Sequence, residues 1–258
     1  MADLAREVDR LVVGVHRAVF RAHRSTLRPM VESLRVDSPG HLLDLAEFFA
    51  VGACNAETIL LRFPYEPEEM PTKMFRQLSD RRHIGAHLEP LPTLVKVIDT
   101  LLEARADTAS LLWGTEIKAA RAGADEALTR ADGQLVNRFH ELPRPVSPVA
   151  ALHHVLTGVR YARLDAHVFA WRRAGLDPAG IVALSAAVES GEEQGHHPEL
   201  VDRGWFTSDG TVTSEGRRAR QRIENQTNDR CAAMFAAVNE PSQWLESLRR
   251  LPSQLDQN

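Results

Sequence analysis

The sequence has few of the residues that mark familiar chemical sites. Its two cysteines, Cys54 and Cys231, stand in neither a Cys-x-x-Cys pair nor a histidine-linked metal spacing, so we expect reduced thiols in a core. It contains no phosphate-binding glycine loop, no dinucleotide fingerprint and no Gly-x-Ser-x-Gly elbow. We therefore expect neither a metal nor a cofactor, and serine-based hydrolysis has no support.

The chain also lacks an excess of positive charge and any long apolar run. Its formal net charge is −4 and its pI is about 6.3, whereas a nucleic-acid-binding protein usually carries a basic footprint. No apolar stretch approaches the length of a membrane span, and the opening residues, MADLAREVDRL, form a charged helical pattern rather than a signal segment. We expect a cytoplasmic protein without a membrane partner.

Helical periodicity on both sides of a proline-rich joint is what the sequence does contain. The amphipathic pattern predicts long helices over residues 3–34, 93–113, 115–139, 149–174 and 215–238. The segment LPRPVSP, between the helices predicted over 115–139 and 149–174, is typical of a domain boundary. We predict an N-terminal half at residues 1–142, a linker at 143–148, a C-terminal half at 149–240 and a tail at 241–258. The last residues of the tail, PSQLDQN, are predicted to be disordered.

One stretch recurs in the two halves. Residues 155–167, VLTGVRYARLDAH, align without a gap to residues 11–23, LVVGVHRAVFRAH, with identities at Gly14/Gly158, Val15/Val159, Ala18/Ala162, Ala22/Ala166 and His23/His167. Chance similarity between two alanine-rich helices is the alternative. We interpret the match as an internal duplication, in which two similar halves form a pseudo-dimer within one chain.

The second half has the predicted order of a winged helix-turn-helix. A helix over 179–190 follows the cap Asp177 and Pro178, and the stretch HHPELVDRGWF predicts a short helix. TSDGTVTSEG predicts two short strands around Asp209-Gly210. Thr213 or Ser214 then caps the long last helix.

These motifs resemble known families. RGWFTSDGTVTSEGRRARQRIE resembles the wing and following helix of MarR-type regulators, and residues 155–235 are similar to an actinobacterial tandem winged-helix family loosely called SalK-like. The positions that carry the resemblance are Arg160, Tyr161, Arg163, Asp165, His167, Trp171, Arg203, Gly204, Trp205, Thr213, Gly216, Glu224, Thr227 and Asp229. It implies a mainly α fold with short β-wings, and the likeness to residues 1–110 is faint.

Sequence features point both towards and away from DNA binding. Arginines follow the predicted wing and end a first-half helix, at Arg217, Arg218, Arg220, Arg81 and Arg82. However, the segment between Gly191 and Glu199 is too short for the motif's second helix. Glu66, Glu68 and Glu69 would also repel phosphates. The arginines after the wing could instead pair with Glu215, Glu224 and Asp229 at helical spacing.

A polar stripe on helix 149–174 is the candidate ligand site. Arg160 and Arg163 could hold a carboxylate or phosphate, and His167, oriented by Asp165 or Glu224, could be a general acid or base near neutral pH. Further candidate ligand-binding residues are Tyr161, Trp171, Trp205, Glu224, Asp229 and His23. Alternatively, the stripe is structural, and Glu224 and Asp229 pair with its arginines between the halves.

Two main hypotheses follow. In the first, a winged-helix-derived protein has lost DNA reading and binds a small anionic or aromatic organic molecule between its halves, with a role as an enzyme of secondary metabolism left open. In the second, the chain is a MarR-like, ligand-responsive transcriptional regulator that binds DNA. A structural partner-binding protein is a third option. Either a monomeric pseudo-dimer or a homodimer fits. Saturation of the arginines by internal carboxylates would count against the first hypothesis.

Overall fold

The structure is a computed structural model that describes residues 6–11, 114–142, 144–146, 148–191 and 197–255. These residues are mainly helical, as predicted. Residues 6–11 (α1) and 114–128 (α2) are helical, and the later helices are α3 Gln134–His140, α4 Pro148–Arg173, α5 Pro178–Ser190, α6 Pro198–Asp202, α7 Ser214–Phe235 and α8 Pro241–Leu255. Most of the predicted first half, including nearly all of the repeat at 11–23, lies outside the described residues.

Two helix starts follow directly from local sequence. Asp177 accepts a hydrogen bond from the backbone N–H of Gly180 at 2.7 Å, and Pro178 is the first residue of α5. Thr213 accepts one from the backbone N–H of Gly216 at 3.1 Å at the start of α7. Each cap satisfies an N–H that the helix itself cannot pair, and both predicted caps are confirmed.

The single helix predicted over 115–139 is wrong. The chain leaves α2 after residue 128, turns through Asp132 and Gly133, and re-enters a helix at Gln134. The Asp165 side chain of α4 presses against this turn, and a Cβ at position 133 would lie 2.2 Å from its Oδ2 atom. Only glycine allows this approach, so the break is fixed by a contact distant in sequence.

The tail 241–258 is helical over most of its length, because residues 241–255 form α8, and the predicted disorder of the last residues, 252–258, is wrong for 252–255. Trp244, Leu248 and Leu251 recur at helical spacing and are buried. The indole Nε1 of Trp244 donates to the carbonyl of Ala120 in α2 at 2.9 Å. Pro241 therefore begins a docked helix, and burial of its apolar stripe orders it. Residues 256–258 lie outside the described part.

The predicted wing strands shrink to one antiparallel β-bridge between Phe206 and Val212. In the ranges that the structure describes, there is no strand longer than this single bridge. The turn itself lies where it was predicted: the backbone N–H of Thr207 donates to the carbonyl of Thr211 at 2.9 Å, and Gly210 adopts φ +87°. Seven residues from Phe206 to Val212 thus form a tight turn rather than a two-stranded wing.

The helices enclose two hydrophobic clusters. The first joins α1, α2, most of α4, the end of α7 and α8, with Val8, Leu156, Phe235 and Trp244 among its members. The second joins the end of α4 with α5, α6 and the turn, around Trp171, Ile181, Leu200, Phe206 and Ile223. α4 and α7 pack along each other and contribute to both clusters.

Helices on both sides of the predicted linker 143–148 pack together. Gly158 of α4, one of the repeated positions, leaves room for α2 and α3, because a Cβ there would lie 3.0 Å from Leu128 and from Phe139. The division of the chain into two halves stays a prediction. Within the described ranges, no helix combines the length and apolar character needed to cross a membrane.

Candidate functional site

Polar side chains meet between the two hydrophobic clusters, where α4 lies along α7. We call this set the polar belt; its members are Asp9, Arg163, His167, Arg220, Glu224, Thr227 and Asn228. On α4, His167 lies between Ala166 of the first cluster and Ala170 of the second, and on α7, Glu224, Thr227 and Asn228 lie between Ile223 of the second cluster and Cys231 of the first. Buried charge is tolerated only when it is paired, so the internal contacts decide what the belt can do.

Arg163 is held on three sides of its guanidinium group. Its Nε lies 3.2 Å from Oδ2 of Asp9, its Nη2 donates to Oε2 of Glu224 at 3.1 Å, and its Nη1 donates to Oδ1 of Asn228 at 2.9 Å. The sequence predicted the pairing with Glu224 but missed Asp9 and Asn228. The group expected to hold a ligand carboxylate is thus bound to two carboxylates of the chain itself.

Glu224 is the centre of the belt. Its Oε1 lies 2.5 Å from Nη1 of Arg220, while its Oε2 accepts from Arg163. Burial acts to raise the pKa of Glu224, but Arg220 and then the other cationic neighbours outweigh it and hold the pKa below its usual range. A carboxylate with an arginine on each oxygen is ionised at neutral pH and fixes both guanidinium groups.

His167 is a buried, neutral imidazole. Burial, helped by Arg220 and Arg163, lowers its pKa to about 4 although Glu224 opposes the shift. The hydroxyl of Thr227 donates to the carbonyl of Ile223, so its oxygen accepts from Nδ1–H of His167 at 3.2 Å. The Nδ1 atom of His167 also lies 3.7 Å from Oε1 of Glu224, but the neutral imidazole forms no ion pair there at neutral pH. The structure therefore does not present His167 as a base that titrates near pH 7.

Asp165, expected to orient His167, has another position. Its carboxylate accepts the backbone N–H of Leu135 at 3.1 and 2.9 Å and that of Val136 at 3.0 Å, which caps α3. Arg160 is half-buried and attracts the carboxylate of Asp9. Asp229 is exposed, and Arg163, one of the arginines predicted to pair with it, pairs instead with Glu224 and Asp9. Two residues of the stripe, Arg163 and His167, meet at Glu224 of α7.

The three aromatic candidates do not surround one ligand. Tyr161 is buried edge-on to Phe139, with ring centroids 5.3 Å apart. Trp171 lies in the second hydrophobic cluster and Trp205 packs at its edge, where the guanidinium carbon of Arg203 lies 5.2 Å from the ring centroid. All three contribute to packing: Tyr161 packs beside Phe139, and both tryptophans pack in or against the second cluster.

A second polar group, which we call the arginine face, consists of Arg217, Arg218 and Arg222 on the exposed side of α7, beside the turn. Glu215 pairs with Arg222 at 2.7 Å and with Arg218 at 3.4 Å. Arg217 is exposed, and no carboxylate in the described part of the chain pairs with it. Arg220, predicted with this group, is instead only 14% exposed and belongs to the polar belt.

The turn and α6 are fastened to the end of α4 by Arg203. Its Nη1 donates to the carbonyl of Ala174 and its Nη2 to that of Gly175, both at 2.8 Å, and Nη2 also lies 2.7 Å from Oε1 of Glu199. At position 216, a Cβ would lie 2.3 Å from the carbonyl oxygen of Trp205. The start of α7, which carries the arginine face, therefore packs directly against the residue that precedes the turn.

Several predicted residues lie outside the described part of the chain: His23, Arg81, Arg82 and Cys54. Of the two thiols, Cys231 is described; it is buried and free, as predicted, and burial raises its pKa to about 11. In the described ranges, no group of three or more histidine, cysteine, aspartate or glutamate side chains is placed to hold a metal ion. The belt residues that sequence reasoning missed are Asp9, Asn228, Thr227 and their neighbour Ser185.

Comparison with known proteins gives one match. The sequence model of a helix-turn-helix family matches residues 93–257, which is more than half of the chain. No curated protein matches this sequence, and no solved structure matches it. The matched residues include α2 to α8, and with them the arginine face and the two arginines of the polar belt.

Proposed function

Since the chain belongs to a helix-turn-helix family, we propose that it is a DNA-binding protein of the transcriptional-regulator type. Within that proposal it is a winged-helix protein akin to MarR-type regulators, with two related halves that form a pseudo-dimer. Support for the pseudo-dimer comes from α1, whose Val8 and Leu11 are buried in the first hydrophobic cluster, which includes residues of α4 and α7 from the second half. Its Glu7 also pairs with Arg249 of α8 at 2.7 Å.

The arginine face is the observation that carries the proposal. Three guanidinium groups stand on adjacent turns of α7, next to the turn at the position of the predicted wing, and Arg218 and Arg222 are 71% and 56% exposed. Affinity for DNA rests largely on cations that neutralise phosphates. Arginine suits this task because its planar group makes paired hydrogen bonds to phosphate oxygens.

We infer that these contacts position the protein on the backbone rather than read bases. α6, which stands where a recognition helix would end, has five residues, and two of them, Glu199 and Asp202, are exposed acids. Such a short, acidic helix is poorly suited to the major groove. Contacts that read bases must therefore come from another part of the chain than α6. Arg81 and Arg82 of the first half remain candidates for the corresponding contact with DNA.

The small-molecule hypothesis has less support than DNA binding. Its central residues, Arg163 and His167, spend their described hydrogen bonds on Glu224, Asn228 and Thr227. Asp165 caps a helix instead of facing them. A DNA-binding role also agrees with the predicted cytoplasmic location.

A salt titration of binding to a labelled duplex of random sequence tests the proposal. Wild type is compared with Arg217→Ala/Arg218→Ala, and Lys118→Ala/Arg121→Ala on α2 serves as the charge-matched control away from the arginine face. We expect the plot of log affinity against log salt to lose about 0.9 in slope for each phosphate contact removed. The control should keep the wild-type slope. Absence of binding by wild type even at low salt would overturn the proposal.

A further inference from the structure

The polar belt ties the arginine face to the rest of the molecule through one continuous chain of contacts. Nε of Arg220 donates to Oγ of Ser185 on α5 at 2.8 Å. Glu224 then joins Arg220 to Arg163 on α4, and Arg163 joins Asp9 on α1. Four helices are thus connected, and Arg220 lies on the same helix as the arginine face, between Arg217 and Glu224 along the chain.

Hydrophobic burial alone does not fix how α5 and α7 sit along one another. Their apolar contact, which includes Ile181, Leu184 and Ile223 in the second cluster, is non-directional, so a directional contact adds to what fixes their relative placement. The hydrogen bond from Arg220 to Ser185 is directional. Beside this hydrogen bond, Glu224 balances two guanidinium groups whose side chains are each 14% exposed.

We propose that Glu224 is a positioning residue for DNA binding: through Arg220 it sets the placement of α5 against the start of α7, and so of the arginine face relative to the helix-turn-helix. This inference rests on the proposed function. Without the carboxylate, Arg163 would keep Asp9 and Asn228, but no negative charge would stand between Arg163 and Arg220, and the two like charges would repel each other in a half-buried site. The helices would move apart, and the phosphate contacts would lose their common geometry.

Two glutamates on α7 make a matched pair for the test. Glu215→Gln and Glu224→Gln each remove one negative charge from the same helix, so long-range electrostatics alone predicts tighter DNA binding for both. Glu215 neutralises Arg218 and Arg222 on the arginine face, and its loss should raise affinity about threefold or more. Loss of Glu224 should instead lower affinity about tenfold. The opposite signs separate placement from charge.

The experiment measures duplex affinity and its salt slope for full-length wild type, Glu215→Gln and Glu224→Gln at a temperature where far-UV circular dichroism shows each to be folded. The expected result for Glu224→Gln is lower affinity at an unchanged slope, since the phosphate-contacting arginines are still present. Leu248→Ala in α8, a buried core position, is the stability control; it should lower Tm without changing affinity. Ser185→Ala, which keeps all charges, should weaken binding in the same way and carries the test if Glu224→Gln does not fold.

The outcomes separate the two proposals. If wild type does not bind DNA, the proposed function fails and the positioning role falls with it. If wild type binds and Glu224→Gln binds as tightly as Glu215→Gln, the positioning role alone is overturned. It is also overturned if Leu248→Ala weakens binding as much as Ser185→Ala, because loss of stability would then explain both.

Discussion

Asp165 accepts the backbone N–H of Leu135 through both carboxylate oxygens, at 3.1 and 2.9 Å. A side chain in the middle of α4 therefore caps the start of α3, thirty residues earlier in the chain. This contact explains why an aspartate in a largely buried helix needs no ligand: it satisfies N–H groups that a short helix leaves unpaired.

Replacing Asp165 should destabilise the fold rather than remove a reaction. Asp165→Ala is expected to lower the free energy of unfolding by about 2 kcal/mol, in the range for helix caps and for hydrogen bonds to charged groups. Asp165→Asn keeps one acceptor and should cost less. Urea unfolding measures both. Equal stability of Asp165→Ala and wild type would show that the cap is not made in solution.

The elements that sequence predicted well are those whose signals are local. Asp177 with Pro178, and Thr213 three residues before Gly216, fix the starts of α5 and α7 through contacts within one turn. The helical period fixes α4 over nearly its full predicted length. Such signals are complete in a few adjacent residues, so they survive without knowledge of the tertiary contacts.

The elements and roles that were missed depend on distant partners. The break before α3 needs Asp165, and α8 needs the surface of α2 that receives Trp244. Two partners in the candidate site were missed for the same reason: the charges on α4 were recognised, but Asp9 and Asn228, which contact Arg163, come from α1 and α7. Whether a buried arginine binds a ligand or its own chain is decided by tertiary contacts that residue type does not reveal.

Gly123 should be intolerant of even one added methyl group. A Cβ there would lie 2.4 Å from two ring atoms of Trp244, and the indole is held by its hydrogen bond to Ala120. Gly123→Ala gains helix propensity but must displace this ring, and we expect a net loss of about 1–3 kcal/mol. Thermal unfolding with tryptophan fluorescence tests this. Gly114→Ala, where a Cβ meets nothing within 4 Å, is the control and should be neutral or stabilising.

Stability should fall between about pH 6.5 and pH 4. Burial lowers the pKa of His167 and of His154 to about 4, while their unfolded values lie near 6.5. In this window the unfolded chain binds more protons than the folded one, so folding becomes less favourable as pH falls. Asp9, whose pKa is raised by burial, acts in the opposite direction, which makes the net slope shallower than two histidines alone would give.

Urea unfolding at several pH values measures that slope. His154→Leu removes one titrating group from a site where the ring stacks on Phe139 at a centroid distance of 4.3 Å. Between about pH 6.5 and pH 4, the unfolding free energy of this variant should fall by up to roughly 3 kcal/mol less than that of wild type. His140→Leu is the comparison, since His140 is exposed and should contribute less. A pH profile identical in wild type and His154→Leu would contradict the assignment of this histidine as neutral and buried.

Arg203 should govern the local stability of α6 and the turn rather than that of the whole fold. Its guanidinium joins the carbonyls of Ala174 and Gly175 to Glu199, a planar arrangement that lysine cannot reproduce. In both Arg203→Lys and Arg203→Ala we expect faster hydrogen exchange of the backbone amides in residues 198–206. Exchange in the centre of α4 should stay at the wild-type rate, because opening of a peripheral unit leaves the core closed. Uniformly faster exchange across α4 and α7 would instead show that Arg203 contributes to global stability. Unchanged exchange in residues 198–206 would show that the contacts of Arg203 do not stabilise this unit.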